Sequence, residues 1–246
     1  MPDLRSFGRR RGRKLRPGRS ALLEGLLPRL AIPQPAEGER LDPWRLFPSP
    51  PRALWLEVGF GGGEHLAAQA AANPDVGLIG CEIFLDGIAS LLRHVEAGGL
   101  GNVRLFPEDA RRLLPALPDA CLERVFVLFP DPWPKKRHAE RRFLSPSTLG
   151  GLGRLLRDGG ELRVATDDVT YVRWVLRHAP RHPAFRWLVS GPGDWRNPPP
   201  GAAPTRYETK AIAAGRSPFY FRFQRRPRQE VPEIGCEGGL VTRAIA

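Results

Sequence analysis

The chain has 246 residues, and 38 Lys and Arg against 26 Asp and Glu give it a formal net charge of +12. Hydrophobic residues make up 41% of the chain, which is enough for a sizeable core and excludes a wholly disordered protein. No run of about 18–20 uncharged apolar residues is present and no apolar secretory segment follows the basic N-terminus, so we expect a cytoplasmic protein without membrane association. Cys81, Cys121 and Cys236 lack the spacing of a disulfide framework or a zinc site, so we expect no metal.

Basic residues are concentrated at the N-terminus, where the first twenty residues hold eight Arg and Lys against a single acid, Asp3. Such a segment is either a disordered, solvated tail or an arm that becomes ordered on a polyanion. The pI of about 10.8 indicates an acidic partner, with nucleic acid the first candidate, although an arginine-rich proteome would produce the same excess. We expect a basic arm and proline-rich lead-in over residues 1–52, one main domain over residues 53–224 and a loosely held tail over residues 225–246.

Regular structure is expected from about Ala53, where short apolar runs begin to alternate with segments of helical periodicity. The predicted strands are residues 54–58, 77–83, 103–106, 125–129, 162–165 and 219–223. The predicted helices are residues 64–72, 85–95, a short one near residue 111, 143–156 and 169–176. This alternation predicts an α/β fold with an open parallel sheet covered on both faces, in which ligands bind beyond the carboxyl ends of the strands.

A glycine-rich turn separates the first strand from the first helix, with glycines at positions 59, 61 and 63. A dinucleotide fingerprint would need glycine at the next position, where this chain has Glu64, whose carboxylate would repel a pyrophosphate. The turn with Glu57 before it suits an uncharged or cationic cofactor such as S-adenosyl-L-methionine.

Acidic residues stand at the ends of three successive predicted strands, namely Glu57, Glu82 and Asp109. Glu82 is placed to accept hydrogen bonds from both hydroxyls of a ribose. Asp109 could accept from an adenine amino group, or it could be the N-cap of the short helix that follows. Converging carboxylates repel one another unless a ligand or a basic partner offsets the repulsion, so they indicate a binding site.

The fourth predicted strand is followed by Pro130-Asp131-Pro132-Trp133-Pro134, in which three prolines restrict the backbone around one carboxylate and one indole. Asp131 can accept hydrogen bonds from a base or an amino group, and Trp133 offers a flat wall; the alternative is a rigid turn around a buried Trp. A basic cluster follows directly and is placed to hold phosphates: Lys135, Lys136, Arg137, Arg141 and Arg142, with Glu140 among them.

These segments resemble the bacterial tRNA (guanine-N7)-methyltransferase family, TrmB. The residues that carry the resemblance are Arg5-Ser6-Phe7, Glu57-Val58-Gly59-Phe60-Gly61, Gly80-Cys81-Glu82, the run from Phe129 to His138, Thr166-Asp167 and the run from Thr205 to Lys210. The resemblance implies a Rossmann-like class I methyltransferase with a seven-stranded, mostly parallel sheet and a reversed last strand. It implies transfer of a methyl group from S-adenosyl-L-methionine to N7 of guanine 46 in the variable loop of tRNA.

The resemblance also assigns roles to individual residues. Cofactor contacts are expected at Glu57, Gly59, Glu82, Asp109 and Asp131, and Asp131 is also the expected catalytic residue. Substrate contacts are expected at Lys135, Asp167, Thr205, Arg206, Tyr207 and Glu208, and RNA contacts at Arg137, His138, Arg141 and Arg142. Two departures from the family pattern are Glu140 within the basic cluster and, at the C-terminus, Pro218 before the last strand together with the basic tail from Arg225 onward.

Two alternatives stay open. A methyltransferase that acts on another RNA base would keep the same cofactor crevice, and the basic cluster argues against a small-molecule acceptor. A noncatalytic RNA-binding module would explain the charge but not the carboxylates at the strand ends. The sequence leaves the choice between a monomer and a homodimer undecided.

Overall fold

The computed structural model describes Gly8, residues 10–12 and residues 15–230. Its strands are β1 (Ala53–Val58), β2 (Val76–Cys81), β3 (Val103–Phe106), β4 (Leu122–Leu128), β5 (Leu156–Thr166), β6 (Phe185–Trp187) and β7 (Phe219–Arg225). Its α-helices are α1 (Pro17–Gly25), α2 (Leu27–Leu30), α3 (Glu64–Ala72), α4 (Leu85–Gly98), α5 (Ala110–Leu113), α6 (Pro146–Leu155), α7 (Val169–His178), α8 (Gly193–Arg196) and α9 (Arg206–Ala213). Short 3-10 helices are Pro43–Leu46, Leu114–Ala116, Lys136–Arg141 and Arg228–Glu230.

The strands form one seven-stranded sheet in the order β3-β2-β1-β4-β5-β7-β6. Strands β1 to β5 run parallel to their neighbours, whereas β7 is antiparallel to β5 and β6. The order reverses at β1, so the loops after β1 and β4 open a crevice, where ligands bind in such sheets. The Rossmann-like, mostly parallel fold with a reversed last strand is therefore confirmed.

The core lies on both faces of the sheet because successive strand residues point to opposite sides. Leu54 and Leu56 of β1 belong to the cluster beneath α5, α6 and α7, while Trp55 of the same strand belongs to the cluster beneath α3 and α4. All six residues of β2 are buried, which explains why this strand is almost continuously apolar in sequence. These patterns predicted β1 to β5, β7 and α3 to α7. They missed β6 and α8, whose three and four residues are too few to show a period, and α9, which follows the proline- and glycine-rich loop.

The expectation that regular structure begins at about Ala53 is wrong, because α1 and α2 precede it. Leu22, Leu23, Leu26 and Leu27 pack against the core cluster beneath α3 and α4. The chain then runs beside β3, where Ile32 N donates to the Leu105 carbonyl at 2.7 Å. Arginines and prolines surround these few leucines in the sequence, so the pattern of the segment is dominated by charge and turn residues.

The described part of the basic arm packs on the domain itself. The Arg10 carbonyl accepts from Leu85 N at 3.0 Å, and the Arg10 guanidinium pairs with Glu108, with Nη1 and Oε1 2.9 Å apart. Gly12 N donates to Asp86 Oδ2 at 3.1 Å. The arm thus lies across the N-terminal end of α4. The arginines and the lysine at positions 5, 9, 13 and 14 lie outside the described residues.

The first residues of the predicted C-terminal tail pack on the domain, whereas a loosely held tail was expected from residue 225. β7 begins at Phe219, directly after Pro218, whose missing N–H is tolerated at a strand start. Arg225 is buried and donates to the Gly153 carbonyl, and Arg228 pairs with Asp158. Residues 225–230 therefore contact the domain, while the rest of the predicted tail, residues 231–246, lies outside the described part. No helix within the described residues is long and apolar enough to cross a membrane.

Candidate active site

A cavity of about 390 Å³ opens at the carboxyl ends of β1, β2 and β4. This volume falls within the roughly 300–1,000 Å³ typical of small-molecule sites. Its lining includes Gly59, Gly61, Glu82, Asp109, Asp131, Trp133, Arg141 and Tyr207. The structure thus brings together residues from five separate segments that the sequence analysis selected.

The glycine turn forms one wall of the cavity. Gly61 has φ +56°, and a Cβ there would lie 2.7 Å from the Tyr207 ring, so Tyr207 covers this part of the turn. Gly63 has φ +80° and would place a Cβ 2.5 Å from Leu91 Cβ, because α3 and α4 approach closely at this point. Glycine at these two positions therefore permits both the backbone conformation and the close approach.

Glu82 forms the floor of the cavity and is held by backbone donors. Its Oε2 accepts from Gly61 N at 2.8 Å, and its Oε1 accepts from Ile83 N at 2.8 Å and Phe84 N at 2.9 Å. Burial raises the pKa of Glu82; the three backbone hydrogen bonds oppose that shift, and the Asp131 charge adds to it. A carboxylate has about four lone-pair positions, so this one keeps capacity to accept a ligand hydroxyl.

Asp109 is the N-cap of α5, as one sequence interpretation predicts, and it also lines the cavity, where its contact with an adenine amino group stays a prediction. Its Oδ1 accepts from Arg111 N at 3.0 Å and from Arg111 Nε at 3.0 Å, and its Oδ2 accepts from Arg111 Nη2 at 2.6 Å. A ligand amino group at this position would therefore meet a carboxylate that is already paired with a guanidinium.

Glu57 does not line the cavity. It is 3% exposed, and its Oε2 lies 2.7 Å from Nδ1 of His65, which is equally buried in the first turn of α3. The structure therefore assigns Glu57 a partner within the protein. Its predicted contact with a cofactor stays a prediction.

The loop after β4 carries an exposed Asp131 and a half-buried Trp133 into the cavity. Phe129 and Trp133 have φ values of +50° and +42°, which non-glycine residues rarely adopt. His138 approaches the edge of the Trp133 ring, with centroids 5.8 Å apart, and the Arg141 guanidinium lies 5.0 Å above it. Trp133 is thus a wall of the site, and the alternative of a turn around a buried Trp is wrong.

The predicted RNA-contact residues are separated by the structure into two groups. Arg137 is exposed, and His138 and Arg141 are partly buried beside it. Lys135, a predicted substrate contact, is exposed next to them. Partial desolvation and the charges of Arg141 and Arg137 lower the pKa of His138. Arg142, in contrast, is only 6% exposed, and its predicted contact with RNA stays a prediction.

The predicted substrate segment begins α9. Thr205 and Glu208 form a capping box, in which Thr205 Oγ1 accepts from Glu208 N at 2.9 Å and Glu208 Oε2 accepts from Thr205 N at 3.3 Å. Glu208 also accepts from the Tyr220 hydroxyl, so both capping residues are occupied and buried. Only Tyr207 of this segment lines the cavity, and burial raises the pKa of its hydroxyl.

Two further predicted substrate residues lie outside the cavity lining. Arg206 is exposed on the first turn of α9, and Asp167 pairs with Arg216, with Oδ2 and Nε 2.6 Å apart. The sequence analysis missed Glu108 and Arg111, which lie in the cavity wall. Their proximity to Asp109 in the chain was the signal that could have found them. No group of His, Cys, Asp and Glu that could hold a metal occurs among the described residues.

Comparison with known proteins decides the family. A family described as putative methyltransferase matches residues 51–220. The tRNA (guanine-N(7)-)-methyltransferase of Rhodospirillum rubrum is 58% identical over 232 residues, which cover 94% of this chain and 91% of that protein. The one from Paramagnetospirillum magneticum is 58% identical over 231 residues, covering 91% and 94%. This chain belongs to the tRNA (guanine-N(7)-)-methyltransferase family.

Solved structures of lower similarity support the fold of this family member. The 16S rRNA methyltransferase KamB is 17% identical, with a TM-score of 0.54 over 72% of this chain and 89% of that chain. A 16S rRNA (adenine(1408)-N(1))-methyltransferase from Catenulisporales acidiphilia is 16% identical, with a TM-score of 0.50 over 80% of this chain and 99% of that chain. The resemblance found in the sequence is thus confirmed, together with the enzyme class and its use of S-adenosyl-L-methionine.

Proposed function

We propose that this enzyme transfers the methyl group of S-adenosyl-L-methionine to N7 of guanine 46 in the variable loop of tRNA, in the cytoplasm. The relatives named above are tRNA (guanine-N(7)-)-methyltransferases. The observation that carries the proposal is that Asp131 and Trp133 line the same cavity as Glu82 and the glycine turn. An acceptor base and a methyl donor can therefore meet within one cavity.

The residues of the cavity fit the cofactor. Within the described part of the chain, no atom beyond its two chain neighbours lies within 4 Å of the position that a Cβ on Gly59 would take, so the turn exposes its backbone there, and Glu82 keeps lone pairs for a ribose hydroxyl. Acidic side chains at the cavity, Glu82 and Asp131, suit a cationic ligand better than a pyrophosphate. When bound, S-adenosyl-L-methionine supplies an electrophilic methyl group on its sulfonium.

Methylation of guanine N7 requires of the protein mainly that it position the base and the methyl donor. Guanine N7 carries an in-plane lone pair and no proton at neutral pH, so its attack on a methyl group needs no general base. The protein's task is to align the reacting atoms and to exclude water, which can lower a barrier by several kcal/mol. Asp131 accepts from the donors on the guanine edge, and Trp133 limits where the base can lie.

The same carboxylate provides selectivity for the base. Guanine offers N1–H and an exocyclic amine as adjacent donors, whereas adenine lacks this pattern. With adenine in the site, the Asp131 carboxylate would lose its partners in a partly dry cavity, which is unfavourable. Lys135 and Arg137 are exposed beside the cavity wall and are suited to phosphate contacts.

The test is a product analysis. Purified protein is incubated with methyl-labelled S-adenosyl-L-methionine and an unmodified tRNA transcript, and the methylated nucleoside is identified and located by mass spectrometry. We expect 7-methylguanosine at position 46. A transcript with adenine at position 46 is the matched control and should accept no label.

Other products would change the proposal in defined ways. A different methylated nucleoside would overturn the assigned base but keep the cofactor site. 7-Methylguanosine at another position would overturn only the position. Binding of tRNA with no methyl transfer would overturn the enzymatic function.

A further inference from the structure

Arg142 lies inside the protein, with its guanidinium beneath the loop after β4. Its Nε donates to the Pro132 carbonyl at 3.0 Å, and its Nη2 donates to the Trp133 carbonyl at 2.9 Å. One face of the guanidinium lies 4.6 Å from the centre of the Trp174 ring on α7. The side chain therefore points at the back of the loop whose front carries Asp131 and Trp133 into the cavity.

The loop needs support from outside because it has few hydrogen bonds of its own. Pro130, Pro132 and Pro134 have no backbone N–H. The positive φ values of Phe129 and Trp133 cost free energy, so they persist only where surrounding contacts maintain them. Phe129 N donates to the Ala165 carbonyl at 2.7 Å, which ties the start of the loop to β5. Arg142 binds the middle of the loop through the carbonyls of residues 132 and 133.

Arg142 is held in place by contacts with α7. Trp174 stacks on the guanidinium and donates from its indole N–H to the Leu144 carbonyl, two residues beyond Arg142. The backbone of Leu144 also donates to the Tyr171 hydroxyl at 3.4 Å. α7 thus holds both the side chain of Arg142 and the backbone that follows it.

We propose that Arg142 is a positioning residue for methyl transfer, which keeps Asp131 and Trp133 in their reactive arrangement by binding the two carbonyls of residues 132 and 133. This inference rests on the function proposed above. Arginine is suited to the task because its planar group donates two hydrogen bonds in fixed directions and stacks on an indole at the same time. Lysine keeps the charge but lacks both features.

The experiment compares Arg142→Lys and Arg142→Met with the wild type at saturating S-adenosyl-L-methionine. We expect kcat to fall about 10- to 100-fold, more for Met than for Lys, because small displacements of reacting groups slow the chemistry strongly. KM for tRNA and Kd for the cofactor should stay within about threefold of the wild-type values, since ground-state binding is unchanged. Thermal unfolding and cofactor calorimetry check that the variants fold.

Two further variants provide the comparison. Arg173→Lys changes an exposed arginine on α7 next to Trp174 and should leave kcat and KM unchanged. Arg137→Met removes an exposed charge and shows the behaviour of a phosphate contact, namely a raised KM for tRNA with a salt slope reduced by about 1. The Arg142 variants should resemble neither.

Two results would overturn the proposal. A raised KM with unchanged kcat in the Arg142 variants would make this residue an RNA contact, and lowered thermal stability with unchanged kcat would make it merely structural. If neither Arg142 variant folds, Trp174→Leu tests the same support, and an unchanged kcat there overturns it. The wild-type reaction tests the proposed function separately, because its product nucleoside is identified independently of the kcat ratios.

Discussion

Glu82 and Asp131, two of the carboxylates that line the cavity, are held in different ways. Glu82 is fixed by three backbone N–H groups, whereas Asp131 is exposed and depends on the conformation of a proline-rich loop. The first is therefore suited to a ligand that binds in one place. The second is suited to a partner that arrives with the substrate.

Asp131→Asn should lower kcat about 10- to 100-fold and change the KM for tRNA little, because the amide keeps the shape but presents donors where guanine also presents donors. Steady-state kinetics with tRNA transcripts measures both values. Asp119→Asn is the control, since that carboxylate is 65% exposed and lies outside the cavity lining. An unchanged kcat for Asp131→Asn would remove Asp131 from the catalytic step.

The affinity for S-adenosyl-L-methionine should decrease as the pH falls through the pKa of Glu82. The ionised carboxylate accepts hydrogen bonds from ribose hydroxyls more strongly than the protonated form does. Because burial raises this pKa above the ordinary value of 4.5, the decrease begins at a higher pH than for an exposed glutamate. Calorimetric titration at a series of pH values measures it. Glu82→Gln should bind weakly with a flat profile over this range, and a profile unchanged from the wild type would exclude Glu82 as the titrating group.

At the scale of elements, the site depends on where α3 and α4 meet the glycine turn. Gly63 is the N-cap of α3 and faces Leu91 of α4, and a Cβ on Gly87 would lie 2.2 Å from the Gly61 carbonyl oxygen. The turn is therefore enclosed by backbone on two sides. Its conformation and the packing of the two helices depend on each other.

Gly63→Ala should lower the free energy of unfolding by about 2–4 kcal/mol, because the alanine has an unfavourable positive φ and its Cβ overlaps Leu91. Urea unfolding measures the loss. Gly62→Ala is the matched control: its φ is not positive, and the nearest atoms belong to the end of the flexible Glu64 side chain. Equal losses in the two variants would contradict this explanation.

For the molecule as a whole, the net charge of +12 favours association with a polyanion, and the N-terminal arm connects this charge to the cavity. Gly8 lines the cavity, while Arg10 and Gly12 hold the arm against Glu108 and Asp86. The arm therefore serves as a wall of the cofactor site in addition to its predicted role in binding the tRNA backbone.

Deletion of residues 2–12 should raise the KM for tRNA and flatten its dependence on salt, because cationic contacts with phosphates are removed. It should also raise the Kd for S-adenosyl-L-methionine, since part of the cavity wall is lost. The deletion ends before α1, which packs on the core. Kinetics at several salt concentrations and calorimetry measure the effects. If KM, salt slope and Kd all stay at wild-type values, the arm has neither role.

The sequence allowed much of the fold to be predicted, because hydrophobic periodicity is a local property that survives in any tertiary context. The bounds of β3 and α3 were predicted correctly, and β1, β2, β4 and β7 were located within a few residues. β5 (Leu156–Thr166) begins well before its predicted bounds, residues 162–165. α1 and α2 were missed because their stability comes from the packing of four leucines on the core, and the surrounding sequence has no clear helical periodicity. The domain boundaries at residues 53 and 224 stay a prediction.

The sequence by itself determined the family, the sheet and the residue types around the cavity, since contiguous motifs at strand ends must meet at one edge of a parallel sheet. Only the tertiary structure decided the partners of each side chain. Glu57 pairs with His65, Asp109 pairs with Arg111, and Arg142 turns inward to the loop carbonyls. The physical reason is that a side chain's direction and its competing partners depend on the packing of whole elements, which residue type and spacing do not specify.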